Sequence, residues 1–143
     1  MDESSELNIA ELRVTGPDNV LEELKEKLKL HIDAEWKKGE EKRFGGNHQV
    51  LGFNANIADE PSTKELMEAV SVFIGNCERA SVTFKTEGIS AVIDIGITVD
   101  TDKLIGPRVF LDQSTIFTLG ALGLGLEIST YPASIEGEAS GST

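Results

Sequence analysis

The stretch Ile89-Ser90-Ala91-Val92-Ile93-Asp94-Ile95-Gly96-Ile97-Thr98-Val99-Asp100 decides how the chain reads. Its odd positions, Ile89, Ala91, Ile93, Ile95, Ile97 and Val99, are all apolar. Ser90, Asp94, Gly96, Thr98 and Asp100 hold the other parity, and only Val92 breaks it. Side chains alternate across a strand, so this is one long strand with one face on a core. So many β-branched residues in a row predict an interior strand of a mostly antiparallel sheet whose second face is partly wet.

Directly before it, Ala80 to Thr86 is expected to be a strand with Val82 and Phe84 inward. Glu87-Gly88 would be the tight turn that joins the two strands as a hairpin. Upstream, Pro61-Ser62-Thr63-Lys64-Glu65 contains a capping box in which Ser62 caps free amides and Glu65 reaches back. Leu66, Met67, Val70, Phe73, Ile74 and Cys77 form the apolar stripe of the helix it opens, and Gly75-Asn76 suits the helix end. Downstream, Asp112 caps a third helix whose apolar face is Ile116, Phe117, Leu119 and Leu122, and Leu126 to Tyr131 is the last strand. The glycines of Gly120-Ala121-Leu122-Gly123-Leu124-Gly125 follow a helix, which makes them a C-cap and close-packing device instead of a phosphate cradle.

Nearer the N-terminus, Leu7 to Thr15 reads as a strand with Ala10, Leu12 and Val14 opposed to Glu11, Arg13 and Thr15. Gly16-Pro17-Asp18-Asn19 turns the chain. Asn19 with Glu22 starts a helix carrying Val20, Leu21, Leu24 and Leu28, with Glu23 and Lys27 paired on its wet side, to end near Leu30. Residues 31 to 47 show no sustained period and read as a long ordered loop, and His48 to Ala58 as a second strand. The expected fold is α+β: a two-layer, mostly antiparallel sheet of about five strands with helices on one face. Its order is the ferredoxin-like βαββαβ preceded by an extra βα unit. Residues 7–131 form the single domain, between a disordered N-terminus at 1–6 and a disordered small, polar tail at 132–143.

With 143 residues, 39% of them hydrophobic, the chain can bury a core without disulfides or metal. No apolar run is long enough to span a membrane. The acidic start, Met1-Asp2-Glu3-Ser4-Ser5-Glu6, is the opposite of a secretory signal, and the single cysteine suits a reducing compartment, so a cytoplasmic protein is expected. A net charge of −12 argues against nucleic acid, whose affinity is supplied by Lys and Arg. Seven of the thirteen basic residues fall between Lys25 and Arg43, mixed with acids. From position 44 on, five basic residues face thirteen acidic ones. Such a surface steers a basic partner towards it.

Among residues suited to recognition, Trp36 is the only tryptophan. It sits in Ala34-Glu35-Trp36-Lys37-Lys38-Gly39-Glu40, where an indole either anchors a partner or folds back as a lid on the sheet. Asp94 interrupts the wetter face of the long strand, where Lys37 or Arg43 could fold over it or water could solvate it. Asp100 and Asp102 lack the further oxygens of a calcium loop. His31 and His48 belong to no metal-ligand spacing, Cys77 lies on an apolar helix stripe, and no serine stands in a nucleophile elbow. Neither a cofactor nor a catalytic group is expected.

Taken together, Glu11-Leu12-Arg13-Val14-Thr15-Gly16, the Trp36-Lys37-Lys38-Gly39 element and Leu122-Gly123-Leu124-Gly125-Leu126-Glu127-Ile128-Ser129-Thr130-Tyr131 resemble the small bacterial domain family DUF4279, a domain of unknown function. Its members are similar in an L-R-[IV]-[ST]-G-like first strand, a Trp-x-x-Gly element after the first helix and a last strand ending in Tyr. The resemblance spans residues 7 to 131 and departs at Ile32-Asp33-Ala34, where the family often has a proline. It implies no activity, and it singles out Trp36, Gly39 and Tyr131. The expectation is a non-catalytic binding protein that meets a basic protein partner through an acidic surface and the Trp36 loop. Trp36, Lys37, Lys38, Gly39, Arg43, Asp94 and Tyr131 are its site residues, and its profile is that of a toxin-neutralising immunity protein. The competing reading is a small-molecule-binding domain or weak enzyme on the polar sheet face around Asp94. A homodimer through a sheet edge fits either.

Overall fold

The structure, a computed structural model, describes residues 8–37, 39, 46, 51–103 and 105–133. The expectations for residues 1–6, Lys38, Arg43, His48 and the tail beyond Ala133 lie outside the described residues. The elements run β1 (Asn8–Thr15), α1 (Asp18–Leu28), β2 (His31–Trp36), β3 (Gly52–Glu60), α2 (Thr63–Arg79), β4 (Ser90–Val99), α3 (Gln113–Leu122) and β5 (Gly125–Pro132). They build an α+β fold on one five-stranded mixed sheet of order β2-β3-β1-β4-β5. Three pairings are antiparallel, and β5 runs parallel to β4.

Alternation does what it predicts in the two interior strands β1 and β4. Ala10, Leu12, Val14, Ala91, Ile93, Ile95 and Ile97 are buried on one side, and the intervening residues are half-exposed on the other. The buried side meets α2, whose stripe Leu66, Met67, Val70, Phe73, Ile74 and Cys77 is wholly buried. Each aliphatic side chain taken fully from water there contributes roughly 1.5–3 kcal/mol. Ser62 Oγ accepts the Glu65 N–H at 3.1 Å and donates its hydroxyl to Glu65 Oε1 at 3.1 Å, so the capping box closes through the hydroxyl alone. Where the β1 ladder runs out beyond Gly96, the buried Asn8 side chain takes over and accepts the Thr98 N–H at 2.9 Å.

The structure corrects the expected order in two places. Residues 31–36 are not loop but the edge strand β2, because a two-residue connection after α1 returns the chain to pair with β3. Lys29 makes that return in the left-handed region, φ 57°, donating its N–H to Lys25 O. Ala80 to Thr86 is not a strand, and the hairpin with β4 is absent. Val82 and Phe84 are buried as expected, but their amides bond Cys77 O and Leu122 O, so helix ends take the place of a neighbouring strand. Both errors share one cause: side-chain alternation reports burial, and hydrogen-bond partners are a separate matter.

Smaller differences follow the same logic. α1 begins at Asp18 after Pro17, with no side-chain cap from Asn19, and ends at Leu28. α2 passes through Gly75-Asn76 to Arg79. β3 begins at Gly52 and ends at Glu60. Pro132 belongs to β5, and Ala133 N–H bonds Val99 O at 2.8 Å, so ordered pairing runs past the expected start of the tail. Asp112 caps α3 through the Thr115 N–H at 2.8 Å, and Gly123 closes it at φ 87°, where an added Cβ would stand 3.1 Å from the Phe84 carbonyl carbon. Ile116 and Phe117 do not join Leu119 and Leu122 in the core. Thr115, Leu119 and Leu122 share the packed side of the helix, which leaves Ile116 and Phe117 in solvent.

Candidate functional site

The sheet face opposite α2 carries the polar members of each strand. Register sets Glu11 beside Asp94, and Asp94 beside Glu127, and the next row holds Gly96 and Ser129. Ile9, Glu11, Asp94, Gly96, Thr98 and Tyr131 line an open hollow of about 340 Å³ on this face. Tyr131 forms its wall. The ring leans back across the sheet until Cε2 stands 3.1 Å from where a Cβ on residue 96 would lie, so Gly96 is what lets the phenol cover the strand.

Bulges aim the carboxylates. β1 and β3 slip register between Ala10 and Glu11, and β2 and β3 slip between Ile32 and Ala34, leaving Asp33 as the extra, unpaired residue of β2. An extra residue redirects a side chain and tightens the local twist. Here it places the Asp33 carboxylate close enough to Glu11 to raise its pKa. Partial burial, the neighbouring Asp33 carboxylate and the charges of Asp94 and Asp59 push the Glu11 carboxyl up to about 7. His31 Nε2 lies 3.5 Å from Asp33 Oδ1 on the outer side, and Asn56 Nδ2 donates to Asp59 Oδ1 at 2.8 Å.

Arg13 answers two of these acids. Arg13 places Nη1 3.2 Å from Asp94 Oδ2 and Nη2 2.7 Å from Glu127 Oε1, bridging β4 and β5 from β1. The bond to Glu127 is the first cause holding its guanidinium pKa above the ordinary value. Among the described residues the site is thus an acidic face with one guanidinium at its centre and a raised carboxyl, Glu11, on its β2 side. Among the described residues no group of three His, Cys, Asp or Glu side chains is arranged to hold a metal ion.

Two of the expected site residues, Asp94 and Tyr131, meet in this hollow. Asp94 is held by Arg13, with Lys37 no part of the hollow. Trp36 and Lys37 lie elsewhere, at a smaller hollow of about 130 Å³ bounded by Lys25, Glu35, Leu51 and Phe53. The indole is half-buried over Gly52, and Gly39 is an exposed turn glycine at φ 94°. Lys25 ties this corner together, 2.7 Å from Glu22, 2.9 Å from Glu35 and 5.8 Å above the Phe53 ring. Glu11, Arg13, Asp33 and Glu127 were missed as site residues. The parity of β1 already put Glu11 and Arg13 on the wet face, but nothing in the sequence says that Glu127 and Asp33 come to flank them.

The remaining candidates are structural. Asp100 Oδ1 accepts the Asp102 N–H at 3.0 Å in a turn. Cys77 is buried, and burial pushes its thiol up to about 11. Among the described residues no helix is long and apolar enough to cross a membrane. No family model, curated protein or solved structure matches the chain.

Proposed function

We propose that this is a non-catalytic binding protein that takes a basic segment of a protein partner on the open, acidic face of its sheet. The observation that carries the reading is the set Glu11, Asp33, Asp59, Asp94 and Glu127 gathered on one face around, among the described residues, a single guanidinium. Unbalanced carboxylates on a wet sheet attract cationic side chains, accelerate encounter and set register. Trp36 extends the face, since its register partner Gly52, itself opposite Thr15, lies on the Arg13 side of the sheet. The narrower form of the proposal is a cytoplasmic immunity protein that occludes the basic surface of a toxin, a role for which a small acidic domain is suited. Of the DUF4279-like motif residues, Trp36 and Tyr131 border this face in the same reading.

We also infer a two-layer scaffold in which β1 α1 β2 β3 α2 β4 is the ferredoxin-like unit and α3 and β5 are appended to it. The strand order β2-β3-β1-β4 and its antiparallel pairings support this.

The test is calorimetric titration with an Arg- and Lys-rich peptide. Asp59→Asn with Asp94→Asn is compared with Glu68→Gln plus Glu87→Gln, which removes equal charge from α2 and a turn. Binding that weakens by about tenfold with the first pair and little with the second supports the face. Equal losses from both pairs would reduce the effect to net charge and reject the site.

A second reading rests on Glu11, whose carboxyl near neutrality lines a hollow able to admit a small molecule. In that reading the face binds a small cationic ligand or performs weak acid–base chemistry. It predicts that Glu11→Gln abolishes binding of a single small amine while leaving peptide binding nearly intact.

A further inference from the structure

The two edges of the sheet are built differently. The edge strand β2 has His31, Asp33 and Glu35 among its six residues and a bulge at Asp33, the ordinary defences against pairing with another chain. At the other edge β5 has no bulge along Gly125 to Tyr131 and a single charged residue, Glu127. Its eight residues run in unbroken register with β4, and Pro132 comes only at the end. From Gln113 to Ala133, across α3 and β5, the sole charged residue is Glu127, and Arg13 already neutralises it at 2.7 Å.

The same unit exposes apolar side chains. Phe117 and Ile116 of α3 are 76% and 56% exposed, and Ile128 of β5 is 45% exposed although its register partner Ile95 is fully buried. We propose that β5 and α3 form the interface of a homodimer, in which β5 pairs antiparallel with β5 of a second copy about a two-fold axis. The sheet then continues across both protomers, and Ile128 and Phe117 are covered.

Charge selects the occupant. Two chains of net charge −12 repel wherever carboxylates face carboxylates, and this edge, whose one acid Glu127 is paired with Arg13, is where identical copies meet with the least of that cost. A basic partner would gain little here, since among the described residues from Gln113 to Ala133 it meets no acid beyond Glu127. Self-pairing of an edge is also isologous, so it closes at two copies and leaves no further β5 edge free. The acidic hollow has Tyr131 of β5 as its wall, so dimerisation would set two hollows on one continuous sheet face. The inference stands independently of what that face binds.

Sedimentation equilibrium of the full chain from about 1 to 200 µM tests the assembly, with amide hydrogen exchange at low and high concentration locating it. The expected result is a monomer–dimer equilibrium that tightens as salt rises, because screening relieves like-charge repulsion. Amides of Glu127 to Tyr131 should gain protection with concentration while those of β2 do not. Phe117→Glu, at an exposed position that spares the fold, should weaken the dimer at least about tenfold, and Ala34→Glu on β2 should not. A wild-type chain that stays monomeric throughout would overturn the proposal. So would a dimer in which β5 exchange is unchanged and Phe117→Glu has no effect.

Discussion

The indole of Trp36 occupies the space that a side chain at Gly52 would need: a Cβ on residue 52 would stand 2.6 Å from Trp36 Cζ2 and 2.8 Å from Val14 O. These two residues are register partners across β2 and β3, so the tryptophan closes its own edge of the sheet onto a glycine. Gly52→Ala is therefore expected to destabilise the fold by about 1–3 kcal/mol through overpacking, measured by urea unfolding. Adding Trp36→Ala should restore only part of the loss, because the Val14 carbonyl still blocks the methyl group. Full restoration would mean that the indole alone sets the constraint.

Glu11 makes stability depend on pH in an unusual direction. Its folded-state carboxyl is raised to about 7, above that of the unfolded chain, so between about pH 4.5 and 7 the folded protein holds a proton that the unfolded one has released. The contribution is fully present below this window and is lost as pH rises through it. Glu11→Gln should flatten the decline seen by urea unfolding at pH 5, 6 and 7. An unchanged slope would show that the folded state does not raise the Glu11 carboxyl.

Arg13 and Glu127 join the first and last strands, and both are substantially exposed. A double-mutant cycle with Arg13→Ala and Glu127→Ala is expected to give a coupling of about 0.3–1 kcal/mol that declines with added salt. A coupling near zero at low salt would remove the pair as a clamp on β5.

Cys77 should be inert. Buried on the α2 stripe with its thiol raised to about 11, it is expected to resist an aromatic disulfide reagent at pH 8 in the native protein and to react at once in denaturant. Rapid native labelling would show that α2 opens locally.

Ser62→Ala removes the acceptor for the Glu65 N–H and the hydroxyl bridge to its carboxylate. The expected cost is about 1 kcal/mol by thermal or urea unfolding, with Ser62→Asp retaining most of the stability.

The amino-acid sequence by itself determined the local devices and the buried stripes. The parity of β1 and β4, the apolar stripe of α2, the Ser62 and Asp112 caps and the Gly123 closure all stand where periodicity and capping chemistry put them, because each depends on residues within a turn or a strand. Even Val82 and Phe84 were legible as inward-facing, though not the helix-end carbonyls that hold their amides. Tertiary structure decided which strands pair. β2 is a strand because β3 lies beside it, and its bulge at Asp33 follows from the count of residues on each side of that ladder. The site belongs to the same level: Arg13 reaches Asp94 and Glu127 across sequence separations of 81 and 114 residues, and the charge of Asp33 acts on Glu11 only through a slipped register. Local sequence controls which face of an element is apolar. It carries no record of which neighbour the element's hydrogen bonds select, and the chemistry of this face is made by that selection.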